Sequence, residues 1–217
     1  MTITTPILDD FDRPDESPLG GGFWSGGVRY ARDMDLESFE ARDDNSGGNI
    51  CDSRWIGTFG AGDLEVYATV STLTTATSSR MYLWCRVLQP GVTTVDCYLC
   101  LLKGNSGSNQ TIEVYRLDNG SFTKLGATLT TAVSSGGIIG IRHNDAGGSN
   151  NIEVDLNGTT VMTRTDNTHT GTAEIGLGIR NAGTRLADFG GGLVTGGVSV
   201  TLLQMQNHLR FSNNSFA

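Results

Sequence analysis

The chain has 217 residues, of which 37% are hydrophobic and 30 are glycine, enough for one large domain with its own core. Its formal net charge of −8 argues against nucleic acid or an anionic membrane surface as a partner, because both attract Lys and Arg. The first residues have neither a basic start nor an apolar run, and no stretch approaches the roughly 18 apolar residues of a membrane span, so neither a signal peptide nor a membrane segment is predicted.

Short runs in which apolar and polar residues alternate recur along the chain, separated by Gly, Asn, Asp or Ser. This alternation predicts β-strands. Without any long helical period, it predicts an all-β sandwich of two antiparallel sheets. The first clear strand lies in residues 63–73, where Leu64, Val66 and Ala68 share one face.

The next two strands flank the turn residues 89–92, and a register centred on Gly91 explains several of their features together. It places three pairs opposite one another: Cys85 with Cys97, Trp84 with Tyr98, and Arg86 with Asp96. Aromatic and oppositely charged neighbours stabilise paired strands by about 0.2–1 kcal/mol each. The register therefore predicts that Cys85 and Cys97 are neighbours in the core. The four cysteines are predicted to be buried thiols, although two facing thiols could oxidise: Cys51, Cys85, Cys97 and Cys100.

Glycine marks several turns and boundaries. Asn119-Gly120 and Asn157-Gly158 each lie between two alternating runs and predict hairpins with type I′ turns. Farther along, glycine occupies every second position within residues 175–179, and this bare face predicts close approach of another layer or a strongly curved sheet. The Gly-rich stretch 190–197 predicts a boundary, which gives a sandwich over residues 1–192 and a Gly-hinged arm over residues 193–217.

Six sequence blocks occur in a characteristic order: LDDFDRPDESPLGGGFW (8–24), DLEVYATVSTL (63–73), RMYLWCRV (80–87), TIEVYRLDNG (111–120), IEVDLNGTTVMTRTDNTHTG (152–171) and IGLGIRNAGTRLADFGGG (175–192). Together they resemble the laminin-G-like and concanavalin A-like jelly-roll modules of tailed-phage virion proteins, especially those of actinobacteriophages. In such modules an Asp-Phe pair lies on the last strand, the place that Asp188-Phe189 takes here.

The resemblance covers roughly residues 7–192 and implies a concanavalin A-like jelly roll of the minor tail or head-decorating type. It also implies a location in the virion, after synthesis in the bacterial host cytoplasm. The partners that it implies are other virion proteins, including further copies of this chain in a homo-oligomer.

No set of catalytic residues stands out, and we predict that the protein is not an enzyme. Glucanases on this fold use carboxylates spaced along one strand face as acid and nucleophile. Glu153 and Asp155 share such a face, but Asn157 stands where the third carboxylate of such glucanases would be. The alternative, which we favour, is that both carboxylates lie on a solvated strand edge.

No metal or cofactor is predicted. The three histidines are isolated in the sequence, whereas a metal site or a nucleophile–base pair needs convergent partners: His143, His169 and His208. The acidic segment Asp43-Asp44-Asn45 offers oxygen ligands, so a structural calcium ion is an alternative there to an ordinary turn.

Tyr82, Trp84 and Tyr98 form the best candidate binding surface, because the predicted register places them on one face. Flat aromatic rings could stack on a sugar, pack against a neighbouring subunit, or be covered by the N-terminal strand or a loop. The leading function is therefore a structural component of a virion that acts through protein–protein contacts. The alternative is a glycan-binding module for attachment to the host surface.

The arm is predicted to serve assembly. Its apolar residues point to both sides of an extended segment: Val198, Val200 and Leu202 on one side, and Leu203 and Met205 on the other. A strand that is apolar on both faces is rarely left in water. It must pack on its own sandwich or add to a neighbouring subunit, and we expect the second.

Overall fold

A computed structural model describes residues 3–20, 22–30, 32–43, 50–73, 76–90, 94–105, 109–181 and 183–194. These residues form strands and turns, as the alternating sequence predicts. The strands in chain order are β1 (Ile7–Asp9), β2 (Trp24–Ser25), β3 (Asp35–Glu37), β4 (Glu40–Arg42), β5 (Ile50–Trp55), β6 (Leu64–Thr72), β7 (Arg80–Gln89), β8 (Asp96–Lys103), β9 (Gln110–Asp118), β10 (Ser121–Lys124), β11 (Leu129–Thr131), β12 (Gly137–His143), β13 (Ile152–Leu156), β14 (Thr159–Arg164), β15 (Glu174–Arg180) and β16 (Arg185–Leu193). Within the described ranges, no helix has the length and hydropathy to cross a membrane.

The strands build two eight-stranded antiparallel sheets with a large apolar core between them. Sheet A has the order β14-β13-β12-β6-β16-β4-β3, and β1 also pairs with β16. Sheet B has the order β10-β9-β8-β7-β15-β5-β2, and β11 also pairs with β9. In the core, the ring of Trp24 packs against Phe11 and Phe189, with centroid distances of 6.2 and 4.9 Å. The beginning and the end of the sandwich therefore meet in its interior.

Both predicted Asn-Gly hairpins are confirmed. Asn119 and Gly120 join β9 to β10 with φ values of 48° and 75°. Asn157 and Gly158 join β13 to β14 with φ values of 52° and 77°. Two successive left-handed residues define the type I′ turn, whose twist matches that of the flanking strands.

The predicted register of β7 and β8 is wrong by one residue. Cys85 lies opposite Tyr98, and Trp84 lies opposite Leu99. Regular pairing ends at Cys85, because Arg86 takes a left-handed φ of 56° and the register shifts beyond it. A symmetric turn assumes an uninterrupted ladder, so this irregularity displaces every predicted partner and reverses the face on which it lies.

The shift separates the cysteines that the sequence places together. Cys85 points into the core between the sheets, whereas Cys97 belongs to a smaller apolar cluster on the outer side of sheet B. Gln89, rather than Arg86, lies opposite Asp96. All four cysteines of the chain are nevertheless buried free thiols, as predicted.

The glycines predicted to mark the boundary begin inside the last strand. β16 continues through Leu193, one residue beyond the predicted end of the sandwich, and the Val194 amide donates to the Asp63 carbonyl at 2.7 Å. Gly190 lets the Tyr67 ring lie over β16, because a Cβ there would stand 2.2 Å from the Cζ of that ring. The five apolar residues of the predicted arm lie outside the described residues, so the arm stays a prediction: Val198, Val200, Leu202, Leu203 and Met205.

Candidate functional site

The three aromatic side chains predicted to form one binding surface lie on two faces of sheet B. Tyr82 and Trp84 belong to the outer apolar cluster, where their rings stack with centroids 5.7 Å apart. Tyr98 points the other way, into the core between the sheets. All three side chains are buried. The prediction that the three side chains share one face is therefore wrong for Tyr98, because the register error placed it on the face of Trp84.

Residues 26–30, which we call the strap, cover Tyr82 and Trp84 from outside. Val28 of the strap is fully buried, and the Tyr30 ring lies 6.4 Å from Tyr82 and 6.5 Å from Trp84 between centroids. Gly176 makes room for the strap, because a Cβ there would stand 2.5 Å from Val28 Cγ2. The close approach predicted from the bare glycine face is confirmed. Of the three alternatives considered from the sequence, the structure therefore confirms for these two rings the one in which a loop covers them.

The strap is anchored by Asp52, a buried carboxylate on the outer side of β5. Its oxygens accept the backbone N–H of Arg29 at 2.9 Å and that of Tyr30 at 3.1 Å. Burial raises the pKa of Asp52 to about 7, against the opposing effect of these two hydrogen bonds. The Arg29 guanidinium donates in turn to the Gly120 carbonyl, which ties the strap to the turn between β9 and β10.

Beside the strap, the outer side of sheet B carries partly exposed aromatic and charged side chains around the buried Glu113. We call this surface the sheet B face; it consists of Arg29, Tyr30, Arg80, Lys103, Glu113, Tyr115, Phe122, Lys124 and Arg180. Tyr115 and Phe122 meet edge to face with centroids 5.7 Å apart, and Phe122 is 42% exposed. The Arg29 guanidinium lies 4.6 Å from the Phe122 centroid, a cation–π contact.

Glu113 lies at the centre of the polar contacts on the sheet B face. It forms ion pairs with Lys103 at 2.7 Å and Lys124 at 2.9 Å, and it accepts a hydrogen bond from the Tyr115 hydroxyl at 2.8 Å. Burial alone would raise the pKa of Glu113, but these hydrogen bonds lower it to about 2. The carboxylate is therefore ionised and fixed in position at neutral pH.

One row of the sheet B face carries cations on three neighbouring strands. Arg180 of β15 lies opposite Arg80 of β7, and Arg80 lies opposite Lys103 of β8. Like charges at directly opposite positions repel, because their Cβ atoms stand only about 5 Å apart. Glu113 compensates Lys103, whereas Arg80 forms no ion pair within the part of the chain that the structure describes.

Two buried polar atoms lie beneath this row, on residues that interact with each other. They are the Tyr82 hydroxyl and Arg80 Nε. Burial raises the pKa of Tyr82 to about 12, and a side-chain hydrogen bond with Arg80 opposes that shift. Tyr82 therefore stays neutral at physiological pH and supports Arg80 from beneath the row.

The outer side of sheet A is polar and is covered by the first residues of the chain. Glu65 accepts the Thr5 hydroxyl at 2.8 Å and the backbone N–H groups of Thr4 and Thr5 at 3.1 and 3.2 Å. It also forms an ion pair with Arg142 at 2.8 Å. The Tyr67 hydroxyl donates to the Thr5 carbonyl at 3.1 Å. These contacts give Glu65 a structural role, since it fastens the N-terminal segment to the sheet.

The two carboxylates considered for catalysis lie together on the outer side of β13. This strand runs between β12 and β14, and Asp155 is buried, so the predicted solvated edge is wrong for Asp155. Burial raises the pKa of Asp155, while Glu153 lies opposite Arg142. Asn157 accepts the Ile138 N–H at 2.8 Å within the hairpin turn, as its place in the sequence predicts. The absence of enzymatic activity stays a prediction.

Two histidines that look isolated in the sequence both contact Tyr98. Its ring stacks on His143 at 4.6 Å and lies 5.3 Å from His169 between centroids. His143 Nδ1 accepts a hydrogen bond from Arg86 Nε at 2.9 Å, which needs a neutral imidazole, and burial lowers the pKa of His143 to about 4. His208 lies outside the described residues. Among those residues, no three His, Cys, Asp or Glu side chains are arranged to hold a metal ion.

The segment considered for calcium is only partly described. Asp43 is buried, and Asp44 and Asn45 lie outside the described residues. A structural calcium ion at this segment therefore stays an untested alternative.

An exposed aromatic pair at the edge of sheet B has no counterpart among the sequence predictions. Phe23, which is 41% exposed, stacks on Trp55 with centroids 5.6 Å apart and planes inclined by 6°. The Ile56 amide donates to the Phe23 carbonyl at 2.7 Å, and Ile56 is itself 54% exposed. The pair arises because β2 pairs with β5, so that Trp24 lies opposite Trp55. No local sequence pattern indicates this pairing.

Comparison with known proteins places the fold among carbohydrate-binding and lectin-like structures. No protein-family profile and no curated protein sequence matches the chain. Similar structures include the carbohydrate-binding module CBM66 from Bacillus subtilis, with a TM-score of 0.52 and 11% identity over 76% of this chain and 91% of that one. A legume lectin-like domain from Entamoeba histolytica gives a TM-score of 0.57 and 11% identity over 80% and 91% of the two chains.

A third similar structure is LamA from Z. galactanivorans in complex with laminaritriose and laminaritetraose, with a TM-score of 0.55 and 12% identity over 88% of this chain and 99% of that one. These likenesses confirm the predicted concanavalin A-like jelly-roll β-sandwich. None of the three structures is described as a virion protein.

Proposed function

We propose that the protein is a glycan-binding module and that the sheet B face is its binding surface. The observation that carries this proposal is the combination, on one face, of partly exposed aromatic rings with fixed charged groups. The sequence gives this function as the alternative to a structural role in a virion. The lectin-like and carbohydrate-binding neighbours support it through the fold that they share with this chain.

The chemistry of the face suits a sugar. A sugar ring has an apolar side of C–H groups, which packs on aromatic rings, and a rim of hydroxyl groups, which need hydrogen-bond partners. Binding sites for such ligands combine aromatic lining with a few precisely placed polar groups. Tyr115 and Phe122 supply rings, and the buried Glu113 holds two lysines and the Tyr115 hydroxyl in fixed positions as polar partners. Polar groups that are fixed before binding reduce the entropy lost when the ligand arrives.

Glycan-array screening of the full chain, followed by calorimetric titration of the best binder, tests the proposal. Tyr115→Ala removes a ring from the sheet B face, and we expect it to weaken binding about tenfold, equivalent to about 1.4 kcal/mol. Tyr115→Phe keeps the ring and should retain most of the affinity.

Phe23→Ala is the matched control. It removes an exposed ring from the edge of sheet B, and we expect a change in Kd of less than about twofold. A chain that binds no glycan would contradict the function. Loss of binding with Phe23→Ala but not with Tyr115→Ala would contradict the assignment of the surface.

The predicted location in a tailed-phage particle remains a separate proposal. A glycan-binding module displayed on a particle would serve attachment to a host surface, which joins the two functions considered from the sequence. Immunogold electron microscopy of intact particles with an antibody against this chain tests the location. Purified particles without label would contradict it.

A further inference from the structure

We infer that the glycan bound by the sheet B face is acidic and that its carboxylate or sulfate groups lie over the row formed by Arg180, Arg80 and Lys103. The inference rests on the proposed function and names the ligand class for the same surface. Three observations support it: the register that aligns the cations, the buried polar atoms beside them, and the aromatic rings that adjoin them.

The first observation concerns charge. The protein has a formal net charge of −8, yet three cations occupy opposed positions on neighbouring strands. The sheet ladder fixes their backbone positions, so the side chains cannot fully escape their mutual repulsion. Glu113 is the carboxylate paired with Lys103, and it is shared with Lys124. An anion above the row would offset the charge of Arg80, the central cation.

The second observation concerns hydrogen bonding. The buried Tyr82 hydroxyl and the Arg80 guanidinium interact through a side-chain hydrogen bond, so Tyr82 holds the inner side of Arg80 in place beneath the row. A planar carboxylate, or the oxygens of a sulfate, match the forked donors of a guanidinium. Arg80 therefore offers the geometry that an acidic group recognises.

The third observation separates an acidic sugar from a simple anion. Tyr82 lies under Tyr30, and Tyr115 is close enough to Arg80 for the guanidinium to influence the phenol. Tyr30 and Tyr115 are both partly exposed. A sugar ring can pack on these rings while its acidic group reaches the row, whereas a free phosphate would use only the cations.

Binding of charged and neutral forms of the same polymer tests the inference. One pair is a polyuronate and its methyl ester, and the other is a sulfated galactan and its desulfated form. We expect at least one charged polymer to bind about tenfold tighter than its neutral form near 0.05 M NaCl, with the advantage declining near 0.5 M because salt screens the row.

Arg80→Gln and Arg180→Gln should each remove most of that advantage, while Arg80→Lys should restore part of it by returning the charge without the fork. Arg185→Gln is the matched control. It changes the net charge equally, but Arg185 belongs to sheet A, where it pairs with Glu40 at 3.2 Å. Melting temperatures of all variants identify any loss of folding, and Arg80→Lys keeps the test valid if Arg80→Gln is unstable.

Each outcome supports or overturns one of the two proposals. Equal affinity for charged and neutral polymers would overturn the acidic ligand and leave glycan binding intact. An equal loss with Arg185→Gln would overturn the row as the recognition site. Inorganic polyphosphate binding as tightly as the best acidic polymer would show a general anion site and overturn the acidic glycan. Failure of every glycan to bind would overturn the proposed function itself.

Discussion

Protonation of His143 should disrupt a buried hydrogen-bond network at one end of the sandwich. Arg86 donates from Nε to His143 Nδ1 at 2.9 Å. Its other nitrogens donate to the carbonyls of Gly62 and Gly171, and it forms an ion pair with Asp145 at 3.2 Å. Nδ1 can accept only while the imidazole is neutral. A protonated ring would place a second cation beside a guanidinium that is fully buried.

The magnitude follows from the pKa of His143. Burial lowers it from 6.5 to about 4, so the native protein binds fewer protons than the unfolded chain between these values. The contribution of His143 to stability is complete above pH 6.5 and is lost as the pH falls towards 4. The gap between the two pKa values corresponds to about 3 kcal/mol of unfolding free energy.

Urea unfolding of the wild type and of His143→Asn, from about pH 8 to about pH 4, measures this contribution. Asparagine offers an oxygen acceptor close to the position of Nδ1 but does not titrate. We expect the variant to be less stable at pH 8, because it loses the ring contact with Tyr98. The deficit should shrink by about 3 kcal/mol as the pH falls. Parallel stability curves for the two proteins would refute the argument.

Four further predictions address other parts of the molecule. The pKa of Asp52 is raised to about 7, so Asp52→Asn should gain up to about 4 kcal/mol over the wild type above pH 7, and urea unfolding should show this gain vanishing as the pH falls towards 4. Gly190→Ala should cost about 1–3 kcal/mol in the same assay, because the added Cβ meets the Tyr67 ring. Glu153→Gln should leave stability within about 0.5 kcal/mol, and no β-glucan should release reducing sugar with either protein; cleavage abolished by the substitution would disprove the prediction. Truncation after Val194 removes the predicted arm but keeps all of β16. If the arm serves assembly, native mass spectrometry should show a monomer, and thermal unfolding should give an unchanged melting temperature.

Local sequence signals predicted the strands and turns well, because alternation and Asn-Gly pairs act over a few residues. They failed at Arg86, where the register of β7 and β8 breaks. The left-handed backbone there lets the side chain reach His143, Gly62 and Gly171, which are 57, 24 and 85 residues away in the chain. Contacts at such separations leave no local trace, so a regular ladder was the natural expectation.

The candidate site was predictable in part. The sequence correctly placed Tyr82 and Trp84 together on one face of β7, since this follows from the strand period. The cationic row was not predictable, because it needs the registers of three strands at once. The expected register would have placed Leu102, rather than Lys103, opposite Arg80. An error of one residue in the predicted register was therefore enough to remove Lys103 from its position opposite Arg80.

The first thirty residues of the chain cover part of the outer side of each sheet. Thr4 and Thr5 are fastened to sheet A by Glu65, and the strap is fastened to sheet B by Asp52. Each anchor is a carboxylate that accepts backbone N–H groups, so each cover is held at a defined position rather than by apolar contact alone. The strap ends at Tyr30, whose ring rests on Tyr82 beside Arg80. It therefore buries the inner rings and at the same time forms one wall of the sheet B face.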